Sequence, residues 1–251
     1  MTAPLLSLET VSKRFGGLVA VGGVTLRLAS GGVTGIIGPN GAGKTTLFSL
    51  IAGSERPSAG RVLFDGQDVT PLTAHGRARL GIGRTFQITQ PFAGLSVREN
   101  VAVGAYVRHA RRDDALARAG EVARTVGLSD RLDASAASLT VSARKRLEVA
   151  RALATEPKLL LLDECFAGLN PSEARDFAAV VSAIAARGIT VLMIEHVMQA
   201  VMSLCSHVHV LAQGKLIAEG APAAVTRDVE VIEAYLGKGA AARLDRRAVH
   251  G

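Results

Sequence analysis

The residues Leu159–Asn170 read LLLLDECFAGLN. Four consecutive leucines ask for a dry environment, and the adjacent carboxylates Asp163 and Glu164 ask for the opposite. Burying an unpaired charge beside such a strand costs several kcal/mol, so something cationic or polar must stand at its end. A second stretch, IIGPNGAGKTTL, carries Gly38-x-x-x-x-Gly43-Lys44-Thr45, a complete phosphate-loop pattern. Across Gly38, Pro39, Asn40, Gly41, Ala42 and Gly43 the backbone is free to curl so that N–H groups face phosphate oxygens. The following helix, opening with Lys44, Thr45 and Thr46, adds its positive N-terminal end. Lys44 is expected to bridge the outer phosphates and Thr45 to offer its hydroxyl to Mg2+. In phosphate-loop proteins a second hydrophobic strand ends in an aspartate that helps hold the magnesium. Asp163 fits that place, with magnesium and Lys44 as the missing positive charge. Glu164 is then poised to orient or deprotonate a water that attacks the γ-phosphate. Together the two stretches predict a nucleotide hydrolysis site with Mg2+, of a kind that kinases, small GTPases, helicases and transport ATPases share.

The elements that must hold these residues follow from the pattern. LLSLETV, VTLRLA and VTGIIG read as short strands separated by glycine-rich turns, and RVLFDGQDV as a strand broken at Asp65-Gly66. From about residue 97 to 154 the texture changes to alanine- and arginine-rich helical spacing. Apolar strands and helices then alternate, which argues for a parallel sheet covered on both faces. With 251 residues, 48% of them hydrophobic, the chain has material for one large domain. No apolar run approaches the roughly 20 residues that cross a bilayer. The opening residues, MTAPLLSLETVSKRF, lack a secretory pattern, so the expected location is the cytoplasm. Cys165 and Cys205 form neither a disulfide framework nor a metal set, and Cys165 reads as a small packed residue. The excess of 29 basic over 22 acidic residues reads as an arginine-rich surface. No basic stretch is interleaved with aromatics for stacking on bases, so nucleic acid is not an expected partner.

Three further positions narrow the reading. GRTFQ places Gln87 at a strand end before the helical stretch, VLMIEH places His196 at the end of the strand after the carboxylates, and FAGLNP follows Asp163-Glu164 directly. In this order, and over nearly the whole chain, they resemble the nucleotide-binding subunit of ATP-binding cassette (ABC) transporters. The resemblance implies an α/β phosphate-loop core with an antiparallel β region near the N-terminus. It also implies an inserted helical subdomain over about residues 89–155, within one domain spanning 1–237 and followed by a basic tail over 238–251. It gives Phe15 an adenine-stacking role, Gln87 contact with magnesium and the attacking water, and His196 contact with the γ-phosphate. Asn170 stands at the usual aspartate of the loop that crosses between subunits.

GIGRTFQITQPFAGLSVRENV, LDECFAGLNPSE, IEHVMQAVM and the ending APAAVTRDVEVIEAYLG resemble the importers of branched-chain and other hydrophobic amino acids. Importers of urea or short amides, lipopolysaccharide-export ATPases and soluble ABC ATPases not coupled to transport remain as alternatives. A small phosphate-loop kinase stays open as well. The implied partners are membrane-spanning permease subunits, a second cassette as homodimer or heterodimer, and, indirectly, a periplasmic solute-binding protein. The chain would sit peripherally on the inner face of the membrane through those permeases. One departure stands out. Where the family has Leu-Ser-Gly-Gly-Gln, this chain has LTVSA, Leu139 to Ala143. Thr140 can replace the serine hydroxyl, and Ser142 can present a backbone N–H at a helix start to the nucleotide of a second subunit. The basic Arg144, Lys145 and Arg146 that follow read as solvated helix charges.

Overall fold

The structure, a computed structural model, describes residues 3–85 and 90–237. Two sheets are stacked with helices. The first is antiparallel, in the order β2-β1-β4-β5, and consists of β1 (Leu6–Phe15), β2 (Leu18–Leu28), β4 (Ala59–Phe64) and β5 (Gln67–Asp68), the last pair joined through the Asp65-Gly66 turn. The second runs β10-β9-β3-β8-β7-β6. Its strands β3 (Val33–Ile37), β6 (Ile82–Arg84), β7 (Leu159–Asp163), β8 (Thr190–Ile194) and β9 (His207–Ala212) are mutually parallel. Only β10 (Lys215–Gly220) turns back antiparallel, at the edge beside β9.

The four leucines of β7 explain their own sequence. Leu159 and Leu161 face one core, shared with the antiparallel sheet and with Leu47, Phe48, Leu50 and Ile51 of α1 (Lys44–Ala52). Leu160 and Leu162 face the other, with Phe177 and Val181 of α6 (Pro171–Ala186) and much of the helical stretch. A strand buried on both faces has no solvent side on which to alternate, hence the unbroken apolar run. The helical stretch consists of α3 (Val97–Ala105), α4 (Arg112–Thr125) and α5 (Val141–Leu153). Alanines 115, 119, 123, 143 and 150 are buried among these helices, where small side chains permit close approach. Capping chemistry sets the starts: Ser96 and Glu99 form a reciprocal capping box on α3, and Asn170 and Glu173 form another on α6, with Pro171 at its first turn. Three short helices complete the described chain: α7 (Met198–Leu204), α8 (Pro222–Val225) and α9 (Val229–Leu236). No helix of the described residues is long and apolar enough to cross a membrane.

Helix α1, which presents Lys44 and Thr45 at one end, is pinned at the other by Arg77 of α2 (Ala74–Leu80). Arg77 is fully buried, and its guanidinium donates to the carbonyls of Leu50, Ile51, Thr70 and Leu72. Burial pushes its pKa down to about 10, which still leaves it cationic at neutral pH. A cation at a helix C-terminus satisfies orphan carbonyls and opposes the negative end of the dipole. Arg77→Leu should therefore cost on the order of 3 kcal/mol of stability in urea unfolding, with Arg77→Lys recovering part of it. An unchanged midpoint would mean that these carbonyls are satisfied another way.

Candidate functional site

The segment between β3 and α1 is shaped by contacts that only glycine tolerates. Gly38 has φ 152°, and a Cβ there would lie 2.0 Å from the Leu211 carbonyl oxygen of β9. Gly43 has φ 100°, and a Cβ there would lie 2.3 Å from the Ala20 carbonyl oxygen of β2. The loop is thus wedged between the two sheets and leads directly into α1 at Lys44. Lys44 Nζ donates to the carbonyls of Gly38 (2.7 Å) and Pro39 (3.0 Å), curling over its own loop. Burial lowers its pKa, opposed by the nearby charges of Glu164 and Asp163. Two of its three donors are so used, and one is left to aim outward.

This loop floors a groove of about 1040 Å³ that gathers sequence-predicted residues from distant elements: Phe15, Asn40 through Thr46, Glu164 and His196. Phe15 stands at the rim, 46% exposed, with Lys13 Nζ 4.8 Å from its ring centre. Glu164 holds a left-handed backbone (φ 49°), an uncommon conformation for a residue with a side chain. Its N–H donates to Ile194 O at the end of β8, and two residues on, Phe166 N–H donates to the buried carboxylate of Glu195 (2.9 Å). Burial raises the Glu195 pKa. Glu164 Oε2 and His196 Nδ1 consequently face each other across 4.0 Å at the mouth of the groove.

Asp163 lies behind them, with its side chain inaccessible to solvent. Its cationic partner is Arg84, at the end of β6, whose Nη2 lies 3.0 Å from Asp163 Oδ2 while Nη1 donates to Ser49 of α1. The sequence points to Lys44 and magnesium for this compensation and does not single out Arg84. The parallel pairing of β6 with β7 brings them together, with Arg84 paired to Leu161 two residues before the aspartate. Thr85 adds a hydroxyl that accepts from the Asp163 N–H (3.1 Å). The Asp163 pKa is nonetheless raised: desolvation outweighs the Arg84 bond and the Lys44 charge, and Glu164 pushes the same way. Asp163 Oδ1 is buried without a hydrogen-bond partner among the described residues. That lone pair has the chemistry of a ligand for a hard cation.

Other expectations fare differently. Gln87 lies outside the described residues, as does the basic tail over 238–251. Thr140 caps α5 by accepting the Ala143 N–H (3.3 Å), and Ser142 sits in the first turn, but neither lines the groove. Asn170 uses its side chain to accept the N–H groups of Ser172 and Glu173 at the start of α6. Cys165 is buried and packed beside Thr85, as expected of a small core residue, and burial pushes its thiol up to about 12. Arg144, Lys145 and Arg146 are not merely solvated: they donate to the carbonyls of Ala137, Glu164 and Val126. The Lys145 bond, at 3.4 Å, ties α5 to the carboxylate loop. Sequence reasoning also missed Tyr235 of α9, which lies near Gly38 and whose pKa burial raises. The turn residues Gln213 and Gly214, which line the groove between β9 and β10, were missed as well.

Known proteins share this arrangement. The family described as ABC transporter matches residues 21–167, and that described as Branched-chain amino acid ATP-binding cassette transporter matches residues 215–241. The chain belongs to the ATP-binding subunits of ABC transporters. It is 37% identical to the high-affinity branched-chain amino acid transport ATP-binding protein BraF of Pseudomonas aeruginosa, over 95% of this chain and all of the relative. It is 35% identical to LivG of Escherichia coli, of the same description, with the same coverage. The lipopolysaccharide export system ATP-binding protein LptB of Escherichia coli is 35% identical over 93% of this chain and 97% of its own length. Among solved structures, the ADP conformation of an ATP-binding cassette of an ABC transporter superposes with a TM-score of 0.86 at 34% identity, covering 94% of this chain and all of that one. The chain is thus an ABC ATPase with the α/β cassette fold, of a family that binds ATP or ADP.

The Arg84–Asp163 pair makes a test of the site in the absence of nucleotide. Asp163 has a folded pKa above its ordinary 3.8, so the folded state favours its proton, and stability falls as pH rises through the raised value. Removing Arg84 leaves the carboxylate buried without its ion pair and raises that pKa further. Arg84→Ala should therefore destabilise the chain by about 3 kcal/mol at neutral pH and by much less near pH 4. Denaturant unfolding at the two pH values measures the difference. Equal losses at both would exclude the pairing as its cause.

Proposed function

We propose that this chain is the ATP-hydrolysing subunit of an importer for branched-chain or related hydrophobic amino acids. The observation that carries the reading is the convergence in one groove of the phosphate loop, Glu164 and His196. The amino-acid class is supported by the match over residues 215–241 and by the descriptions of BraF and LivG. LptB is similar at comparable identity, which keeps lipopolysaccharide export as the second reading.

In the proposed mechanism Phe15 stacks on the adenine, and the N–H groups from Gly38 to Thr46 surround the phosphates. Lys44 turns its remaining donor to the outer phosphates. Thr45, Asp163 and Gln87 are the residues that would hold Mg2+, with Asp163 Oδ1 free of hydrogen bonds for that purpose. The ion, when bound, neutralises charge developing on the phosphoryl oxygens. Glu164, fixed by its bond to Ile194 O, orients the attacking water and takes its proton. His196 donates to the γ-phosphate from across the groove.

Thr140 and Ser142 lie outside this chain's groove, and in this reading they face the nucleotide held by a second cassette, Thr140 while also capping α5. The dimer, whether of two identical or two related chains, would dock on permease subunits at the inner face of the membrane, downstream of a solute-binding protein.

Glu164→Gln should keep ATP binding and slow hydrolysis by about 10²–10⁴-fold, since the amide accepts no proton. In cells carrying only this variant, uptake of labelled leucine, isoleucine and valine should fall to background while lipopolysaccharide export continues. Wild-type turnover would reduce Glu164 to a structural carboxylate. Normal uptake with failed export would favour the second reading.

A further inference from the structure

His207 and His209 stand two residues apart on β9, so their side chains share a face of the sheet. The antiparallel register pairs His209 with Glu219 of β10. The imidazole nitrogens and carboxylate oxygens of the three lie within 4.8 Å of one another. The two rings meet edge to face with centres 4.9 Å apart. His209 is 2% exposed, and its Nδ1, although 3.0 Å from Glu219 Oε2, is buried without a well-aligned hydrogen bond. The nucleotide chemistry uses none of the three.

We propose that His207, His209 and Glu219 form a binding site for a divalent transition-metal ion of the Zn2+ class. Two imidazoles and one carboxylate make up a three-ligand zinc set that leaves a fourth position to water. Nitrogen donors favour Zn2+ over the hard, oxygen-seeking Mg2+ that the nucleotide site takes. Zinc bond lengths of about 2.0–2.2 Å place tetrahedral ligand atoms roughly 3.4 Å apart, a little closer than the 4.8 Å within which the three groups lie. Glu219 forms the exposed edge of the site and His209 its buried end.

The site braces a structurally important hairpin. Beyond His209, the Leu211 carbonyl forms the surface against which Gly38 folds, and Gly214 N–H of the β9–β10 turn donates to Ala42 O of the phosphate loop (2.9 Å). A bound ion ties the two strands of that hairpin together on their open side.

The full chain, titrated with Zn2+ alone by calorimetry, should bind one equivalent and show a raised unfolding temperature. Affinity should fall by about tenfold or more in His207→Gln and in Glu219→Gln, and the thermal shift should vanish with it. His75→Gln and His109→Gln should leave affinity unchanged. Glu219 is exposed, so its variant keeps the test valid if the histidine variant fails to fold. Absence of Zn2+ binding up to about millimolar, or unchanged affinity in Glu219→Gln, would overturn the proposal.

Discussion

The structure is organised around one electrostatic constraint: a carboxylate, Asp163, stands at the end of a strand whose every other residue is buried in a leucine core. Desolvation there raises its pKa even though Arg84 lies 3.0 Å away and Lys44 is close by. The carboxylate is held but not fully compensated, and one oxygen has no hydrogen bond. A buried group in that condition is costly for stability and useful for binding, because any cation that arrives recovers interaction energy already present as strain. The apolar strand, the parallel register that delivers Arg84, and the glycine loop beside it all serve to hold this deficit in place.

The other site residues follow from the same arrangement. Once β7 and β8 are paired in register, their ends place Glu164 and His196 side by side. The left-handed backbone at Glu164 turns the chain out of the sheet immediately after Asp163, so adjacent carboxylates take opposite environments, one dry and one open. In the proposed mechanism that separation gives two neighbouring acids two roles: Asp163 for a cation, and Glu164 for a water. The phosphate loop is in turn packed with Gly38 against Leu211 of one sheet and Gly43 against Ala20 of the other.

Much of this was legible in the sequence. The phosphate loop is contiguous, and its glycines, lysine and threonine each have a chemical reason. The four leucines and the two acids pose their conflict within six residues. What was not legible depends on register between strands distant in sequence. Arg84 is 79 residues from Asp163, and only the pairing of β6 with β7 brings them together. Arg77, Tyr235 and the Gly214 turn are similar, since each acts on a loop or helix end contributed by another part of the chain. The basic run Arg144–Arg146 reads as ordinary surface charge because the carbonyls that it satisfies belong to three separate segments. Sequence supplies the chemical groups of such contacts, but their partners emerge only from the folded topology.

Arg84 and Lys44 compensate Asp163 only in part, and in the proposed mechanism Mg2+ arriving with nucleotide supplies the rest. Proton release on binding measures it directly, by calorimetry in buffers of different ionisation enthalpy, scanned from about pH 4 to neutrality. Supplying the cation lowers the raised pKa, so the wild-type chain should release more protons than Asp163→Asn on the acidic side of that range. The difference should vanish when Mg2+ is omitted. Equal proton release by the two chains, with Mg2+ present, would contradict the account.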